Sequence, residues 1–182
     1  MIITISGQAG SGKSSVGEIL AKRLGYEYWS IGDMRREMAR ERGMTLAEFN
    51  KLGEKEDFTD TEVDKFQREL GKKQDNAVIN GRTSYYFIPK SVKICLKANL
   101  EKRAMRVFRD PDRQNEAFKD LKNAKEKIIE RDRSDVMRYK KIYGIDVSDE
   151  KNYDYIVDNS NITVKQTANK IIELLKTDGL LV

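Results

Sequence analysis

The stretch that decides the fold lies near the start of the chain: Gly7-Gln8-Ala9-Gly10-Ser11-Gly12-Lys13-Ser14. It follows residues 2–6, a β-branched run that predicts a buried strand. It precedes residues 14–24, where apolar side chains recur on one helical face until Gly25 ends the pattern. The sequence therefore predicts a glycine-rich turn between a buried strand and a helix.

This turn matches the pattern G-x-x-x-x-G-K-[ST] at every fixed position. Glycines let successive backbone N–H groups point at phosphate oxygens, and the following helix adds the positive end of its dipole. In such a loop the lysine, Lys13, bridges β- and γ-phosphate oxygens, and the hydroxyl of Ser14 ligates Mg²⁺. We therefore predict a nucleoside-triphosphate-binding loop.

Short apolar runs alternate with helical patterns along the rest of the chain. The further predicted strands are 26–31, 77–79, 92–96 and 155–157. The further predicted helices are 33–42, 45–53, 59–73, 100–108, about 114–143, and 164–175. Apolar rather than alternating strands indicate burial on both faces. We predict an α/β fold of three layers, one domain over residues 1–182, with a five-stranded parallel sheet covered by helices on both faces.

Composition excludes several classes of site. The 182 residues include no histidine, which excludes histidine-based triads and histidine-ligated metals. The single cysteine, Cys95, excludes an internal disulfide and a multi-cysteine zinc site, and its apolar surroundings predict burial. No apolar run approaches the roughly 18 residues of a membrane span, and residues 1–6 lack a basic leader. We expect a cytoplasmic protein without a membrane partner.

The charge pattern favours small anionic ligands over nucleic acid. Lysine and arginine number 35 against 30 acidic residues, a net charge of +5. Residues 119–133 mix both signs at helical spacing, which is typical of a solvated helix face rather than of a one-sided nucleic-acid surface. We therefore expect no nucleic-acid partner.

Other proteins with this loop fit the sequence less well. A GTPase carries an N-K-x-D guanine reader, and the nearest string, residues 169–172, lacks the aspartate. The second strand enters Ser30-Ile31-Gly32-Asp33, which resembles the small kinases that phosphorylate nucleoside monophosphates. The resemblance implies an acceptor-phosphate site with Arg36 in the matching position and Arg35 as a neighbouring candidate.

Later segments resemble cytidylate kinases more specifically. These segments are Asn80-Gly81-Arg82-Thr83-Ser84 and the arginine-rich residues 131–139, and residues 139–146 and 153–157 look like the archaeal form. The similarity covers essentially the whole chain. It implies transfer of a phosphoryl group from MgATP to CMP or dCMP by a monomer. It also implies a segment that binds the monophosphate over about 33–73 and a lid over about 109–133.

The resemblance implies a role for each matching residue. The ATP-binding residues are Gly7, Gln8, Ala9, Gly10, Ser11, Gly12, Lys13, Ser14, Ser15 and Arg109, with Arg106 as the alternative to Arg109 over the adenine. The acceptor-binding residues are Asp33, Arg36, Gly81, Arg82 and Asp135. Lys13, Arg131 and Arg138 are the catalytic residues. Ser14 is the metal ligand, with Mg²⁺ entering together with ATP.

Asp135 lies between Arg131 and Arg138, which are seven residues apart, so the three side chains share a helix face. A carboxylate there can accept a hydrogen bond from the cytosine amino group. The alternative is an ordinary ion pair at i, i+4 spacing on the helix surface.

One position departs from related kinases. Many place an acidic residue at the end of the third strand, where this chain has Asn80, so Ser14 and the phosphates must hold the metal without that charge. Two other functions stay open from the sequence: a kinase for another small acceptor, such as AMP or shikimate, and a regulatory ATP-binding module without catalysis.

Overall fold

One parallel sheet organises the chain. The computed structural model describes residues 1–53, 55–56, 58–110 and 118–181. The strands are β1 (Ile2–Gly7), β2 (Glu27–Ser30), β3 (Ala77–Asn80), β4 (Val92–Lys97) and β5 (Tyr155–Asp158). Their order is β2-β3-β1-β4-β5, and every neighbouring pair is parallel. All the carboxyl ends therefore meet at one edge, and the five-stranded parallel sheet that the sequence predicted is confirmed.

Helices connect the strands. They are α1 (Lys13–Leu24), α2 (Ile31–Glu41), α3 (Leu46–Gly53), α4 (Phe58–Lys73), α5 (Ser84–Phe87), α6 (Leu100–Phe108), α7 (Leu121–Tyr143) and α8 (Val164–Thr177). A short 3₁₀ helix covers Glu150–Asn152. Most of the predicted boundaries are correct to within two residues. The two short helices were not predicted, because four residues carry too little periodicity to be recognised.

The predicted start of the long charged helix was wrong. We expected a helix from about residue 114, but α7 begins at Leu121. The side chain of Asp120 accepts a hydrogen bond from the Asn123 N–H at 2.7 Å and so caps the helix. Residues 114–117 lie outside the described part of the chain. Much of the predicted lid, residues 111–117, falls there as well.

Two apolar clusters show that helices cover both faces of the sheet. Ile3, Ile5 and Val78 pack with residues of α1 and α8. Ile79 on the other face packs with Val63 of α4 and with residues of α2 and α5. The side chains of β3 alternate between the two clusters, as a strand buried on both sides requires. The three-layer prediction is confirmed.

Cys95 is buried on β4, as predicted, and burial raises the pKa of its thiol. Within the described ranges, no cluster of three or more histidine, cysteine, aspartate or glutamate side chains is arranged to hold a metal ion. No described helix has the length and apolar character needed to cross a membrane.

Gly81 follows β3 at a point where no side chain fits. A Cβ atom there would lie 2.2 Å from Ser84 Oγ and 2.8 Å from Ile31 Cγ1. We predict that Gly81→Ala lowers the free energy of unfolding by about 1–3 kcal/mol, measured by urea denaturation, because both neighbours must move.

Gly32 provides the matched control. It lies in α2, and an added Cβ would have 3.9 Å to its nearest neighbours. Gly32→Ala should leave the free energy of unfolding unchanged or raise it by up to about 1 kcal/mol. Equal effects of the two substitutions would contradict the steric explanation.

Candidate active site

A cleft that is partly open to solvent lies at the carboxyl edge of the sheet. It is lined by the loop between β1 and α1, by residues of α2, α3, α4 and α7, and by residues 80–83 at the end of β3. The charged residues that line it are Lys13, Arg35, Arg36, Arg82 and Arg131 against Asp60, Asp64 and Asp135. Cations outnumber carboxylates, so the cleft suits an anion.

The loop between β1 and α1 has the backbone conformation that the glycine pattern predicted. Gly10 has φ +76°, and a Cβ there would lie 2.5 Å from the carbonyl oxygen of Arg103. The Lys13 Nζ lies across the loop and donates to the carbonyl of Gln8 at 2.9 Å. α1 begins beyond Gly12 without a side-chain cap from the described residues. Its first N–H groups are therefore available to a phosphate.

A polar network holds this loop from the side of β5. Asn159 is 2% exposed and donates from Nδ2 to the carbonyl of Ser11 at 2.9 Å. Arg106 of α6 donates to the Asn159 side-chain oxygen at 3.0 Å and to its carbonyl at 2.7 Å. The loop conformation is thus fixed by residues far away in the sequence.

Asp132 of α7 connects three segments around the loop. It accepts from the Ala9 N–H at 3.2 Å and from Arg103 of α6 at 2.6 Å. Arg82, which follows β3, lies 3.6 Å from the same carboxylate. α7 is thereby attached to the phosphate-binding loop itself.

Asp135 lies between two guanidinium groups. One carboxylate oxygen accepts from Arg138 at 2.6 Å, and the other pairs with Arg82. Arg138 is 1% exposed, and it also donates to Asn50 of α3 at 3.3 Å. Because both oxygens of Asp135 contact guanidinium groups, the structure favours a role in holding Arg82 over a contact with a base.

Arg35 is a second buried guanidinium group. It donates to the side chains of Asn50 and Asp60, each at 2.9 Å, and to the carbonyl of Thr59 at 2.8 Å. Burial and the nearby Arg138 lower the pKa of Arg35, whereas Asp60 raises it. These contacts tie α2, α3 and α4 into one wall of the cleft.

Asp64, one turn after Asp60 on α4, is a buried carboxyl group that its surroundings perturb strongly. It is 6% exposed, and Oδ2 has no hydrogen-bond partner among the described residues. Burial, followed by the nearby Asp60, raises the pKa of Asp64 to about 7. A carboxyl group in this condition carries a proton below neutral pH.

Ser14, the predicted metal ligand, is oriented by Asn80 at the end of β3. The amide nitrogen of Asn80 donates to Ser14 Oγ at 3.0 Å and to the Tyr28 hydroxyl at 3.2 Å. Ser14 keeps a second lone pair toward the cleft. Oxygen donors of this kind fit Mg²⁺, which binds proteins through few side chains and keeps waters and phosphate oxygens.

Eight of the predicted site residues line the cleft: Ala9, Lys13, Ser14, Arg36, Gly81, Arg82, Arg131 and Asp135. The other residues of the loop, Gly7, Gln8, Gly10, Ser11, Gly12 and Ser15, are not in the lining, and neither are Asp33, Arg109 and Arg138. Asp33 is exposed and forms an ion pair with Arg36, and Arg138 is buried behind Asp135.

Arg109, predicted to cover the adenine, is exposed beyond the end of α6 and does not line the cleft. One helical turn earlier, Arg106 contacts the loop at the carbonyl of Ser11, 3.4 Å away. The structure therefore favours Arg106. The sequence left both open, since Arg106 lies in the last turn of the predicted helix and Arg109 directly follows it.

Several residues of the site were not predicted: Asn50, Asp60, Asp64, Arg103, Asp132 and Asn159. Asp60, Val63, Asp64 and Gln67 follow one another at intervals of one, three or four residues and lie on the buried face of α4. Charged residues on the buried face of a helix are a signal that could have identified Asp60 and Asp64 from the sequence. Asn159 follows β5 at the edge where ligands bind in open parallel sheets, a signal available from the sequence. Asn50, Arg103 and Asp132 have no such signal.

Comparison with solved structures finds the same fold. The chain aligns with shikimate kinase from Acinetobacter baumannii at a TM-score of 0.62, covering 99% of this chain and 95% of that one, at 19% identity. Shikimate kinase from Bacteroides thetaiotaomicron gives a TM-score of 0.67 with 97% and 98% coverage at 16% identity. At this level of identity the likeness extends to the fold alone.

Sequence comparison identifies the family. Residues 2–161 match the model of the cytidylate kinase-like family. The cytidylate kinase of Methanococcoides burtonii is 39% identical over 160 residues, 88% of each chain. That of Methanobrevibacter smithii is 37% identical over 176 residues, covering 97% of this chain and 99% of its own. Matches of this extent and identity show that the chain belongs to the cytidylate kinase-like family.

Proposed function

We propose that this protein is an ATP-dependent kinase that transfers the γ-phosphoryl group of ATP to CMP or dCMP, giving ADP and CDP or dCDP. The observation that carries the proposal is one cleft that is lined both by the phosphate-binding loop and by the buried carboxyl groups of α4, with four arginines in its lining. The names of the archaeal relatives support the identity of the acceptor.

The chemistry needs positioning and charge more than covalent catalysis. The acceptor phosphate is already ionised near neutral pH, so its oxygen attacks without a general base, and a chain without histidine is sufficient. Lys13 and Arg131 both line the cleft, and in this proposal they lie between the two phosphates. Their charges reduce repulsion between the substrates and stabilise the charge of the transition state.

Arg36 and Arg82 hold the acceptor phosphate in this proposal. Both line the cleft, and they come from different segments of the chain: Arg36 lies on α2, and Arg82 follows β3. An ion pair with Asp33 orients Arg36, and an ion pair with Asp135 orients Arg82. Arg138, assigned from the sequence to the transferring phosphoryl group, instead supports Asp135 from behind.

Mg²⁺ enters with ATP and is held by Ser14 and the phosphate oxygens. Bound there, it neutralises charge that develops on the phosphates. Asn80 orients the hydroxyl of Ser14 and adds no charge of its own. Arg106, packed beside the loop, is the proposed cover for the adenine.

We place the enzyme in the cytoplasm as a monomer of pyrimidine nucleotide metabolism, because both substrates are soluble nucleotides. The segment that binds the monophosphate corresponds to α2, α3 and α4. The proposed lid, about residues 109–133, comprises the connection between α6 and α7 and the first part of α7. Closure of such a segment excludes water, so that the γ-phosphoryl group reaches the acceptor rather than being hydrolysed.

An assay coupled to ADP formation tests the proposal with CMP, dCMP, UMP, AMP and shikimate as acceptors. Turnover with CMP or dCMP well above the other three is expected. A preference for AMP or shikimate would identify a different acceptor. ATP binding without transfer to any acceptor would support a regulatory module.

Lys13→Ala should lower turnover with CMP by at least about 10²-fold, because a charge that contacts the transition state is lost. Single-turnover kinetics with CMP measures the effect. Lys22→Ala, an exposed substitution in the last turn of α1, is the control and should retain full activity. Normal turnover in Lys13→Ala would disprove the proposed role of the loop.

Arg36→Ala should raise the KM for CMP by about tenfold or more and leave the KM for ATP within about twofold, because one charge-assisted contact to the acceptor is removed. Arg40→Ala is a matched control: Arg40 lies on the same helix and pairs with an acidic residue at the same spacing, but it is more exposed. The opposite pattern, a raised KM for ATP alone, would mean that the two phosphate sites are exchanged.

Asn80→Asp should lower the Mg²⁺ concentration for half-maximal activity by roughly threefold to tenfold at fixed ATP, since it adds a negative charge beside the Ser14 hydroxyl. A titration of activity against Mg²⁺ measures it. Asn169→Asp, an exposed site on α8, adds the same charge elsewhere. An equal shift in both variants would show an effect of net charge only.

A further inference from the structure

Asp64 is a carboxyl group for which neither the fold nor the phosphate chemistry gives a use. It lies on α4 beside Val63, and both residues line the cleft. It is 6% exposed, and its Oδ2 has no hydrogen-bond partner among the described residues. A buried polar atom without a partner is costly, so its retention points to a ligand.

The neighbouring carboxyl groups differ in this respect. Asp60 holds Arg35 at 2.9 Å, and Asp135 holds Arg82 and Arg138. Asp64 has no ion pair within 4 Å among the described residues. It is therefore the cleft carboxyl group that remains available to a bound molecule.

Apolar side chains line the cleft together with Asp64. Val63 and Tyr139 are among them, and both are at least nine-tenths buried. In the proposed function Arg36 and Arg82 hold the acceptor phosphate, so the base of the acceptor needs other contacts in the cleft. Asp64 beside Val63 offers apolar contact together with a carboxyl group.

We propose that Asp64, in its neutral acid form, binds the edge of the acceptor base that presents a ring-nitrogen acceptor beside an amino donor. The acid O–H donates to the ring nitrogen, N3 of cytosine, and the other oxygen accepts from the N4 amino group. This inference rests on the proposed function and deepens it. The contact with the cytosine amino group, which the sequence analysis assigned to Asp135, is thereby assigned to Asp64.

Burial, followed by the charge of Asp60, favours the acid form of Asp64 near neutral pH. Asp60 and Arg68 lie on the same helix, Arg35 reaches it from α2, and Arg138 from α7. Burial and Asp60 outweigh the three arginines and raise the pKa of Asp64 to about 7. An ionised Asp64 has no proton to donate, and its negative charge would repel the lone pair of the ring nitrogen. Binding of CMP should therefore weaken above pH 7.

Two substitutions separate the hydrogen-bond pattern from the charge. Asp64→Asn keeps one donor beside one acceptor in the same shape and cannot ionise. We expect it to retain the KM for CMP at pH 7 within about threefold, whereas Asp64→Ala raises it by about tenfold or more. Glu69→Gln, a more exposed change on the same helix, is the control. An unchanged KM in Asp64→Ala would overturn the inference.

The pH profile tests the protonation state. The KM of the wild-type enzyme for CMP, divided by that of Asp64→Asn, should rise about tenfold between pH 7 and pH 8.5. The phosphate of CMP titrates equally in both assays and cancels in the ratio. Parallel profiles would overturn the acid form.

Ribose 5-phosphate distinguishes contact with the base from a general effect on the site. Used as a competitive inhibitor against CMP, it should bind wild type and Asp64→Ala equally, since it has no base. An equal loss for both ligands would overturn the inference. The proposed function has its own readout: if the wild-type enzyme does not phosphorylate CMP, that proposal fails whatever the variants do.

Unfolding by urea gives a readout without substrate. The pKa of Asp64 is raised in the folded protein, so the stability that its proton provides is complete near pH 4 and is lost as the pH rises through 7. Relative to wild type, Asp64→Asn should shift the urea midpoint upward at pH 8.5 more than at pH 4. An equal shift at both pH values would contradict the buried acid.

Discussion

The cleft depends on buried carboxylates that hold arginines in place. A site for two polyanions must gather several guanidinium groups, and these repel one another unless opposite charges are built in among them. Asp60, Asp132 and Asp135 provide those charges, each paired with at least one arginine in the protein interior. Because removal of one partner leaves a buried charge without compensation, these pairs constrain the geometry more than they contribute to net stability.

The same ion pairs connect parts of the chain that are far apart in the sequence. Asp132 joins α7 to the phosphate-binding loop through the Ala9 N–H and to α6 through Arg103. Asp135, one turn later, joins α7 to Arg82 after β3. A movement of α7 must therefore change both the loop for ATP and the arginine proposed for the acceptor. α7, whose first part belongs to the proposed lid, is thus attached to both proposed substrate sites.

How far the sequence predicts this site depends on how local each interaction is. The loop from Gly7 to Ser14 was predictable because its glycines, lysine and serine act within eight consecutive residues. The strands were predictable because burial on both faces leaves an apolar run. The ion pair between Asp132 and Arg103 joins two separate helices, and no periodicity within either helix specifies its partner.

Arg35 and Arg36 show how adjacent residues of one type acquire different uses. Successive helical residues differ by about 100° around the axis, so the two side chains leave α2 in different directions. Arg35 turns inward to Asp60 and Asn50 and fixes the wall, whereas Arg36 remains about one-third exposed. The family pattern points to this pair of positions, and the helix geometry decides between them. Arg35 is buried in its ion pair with Asp60, whereas Arg36 pairs with the exposed Asp33 and keeps access to solvent, which is why we propose Arg36 for the substrate phosphate.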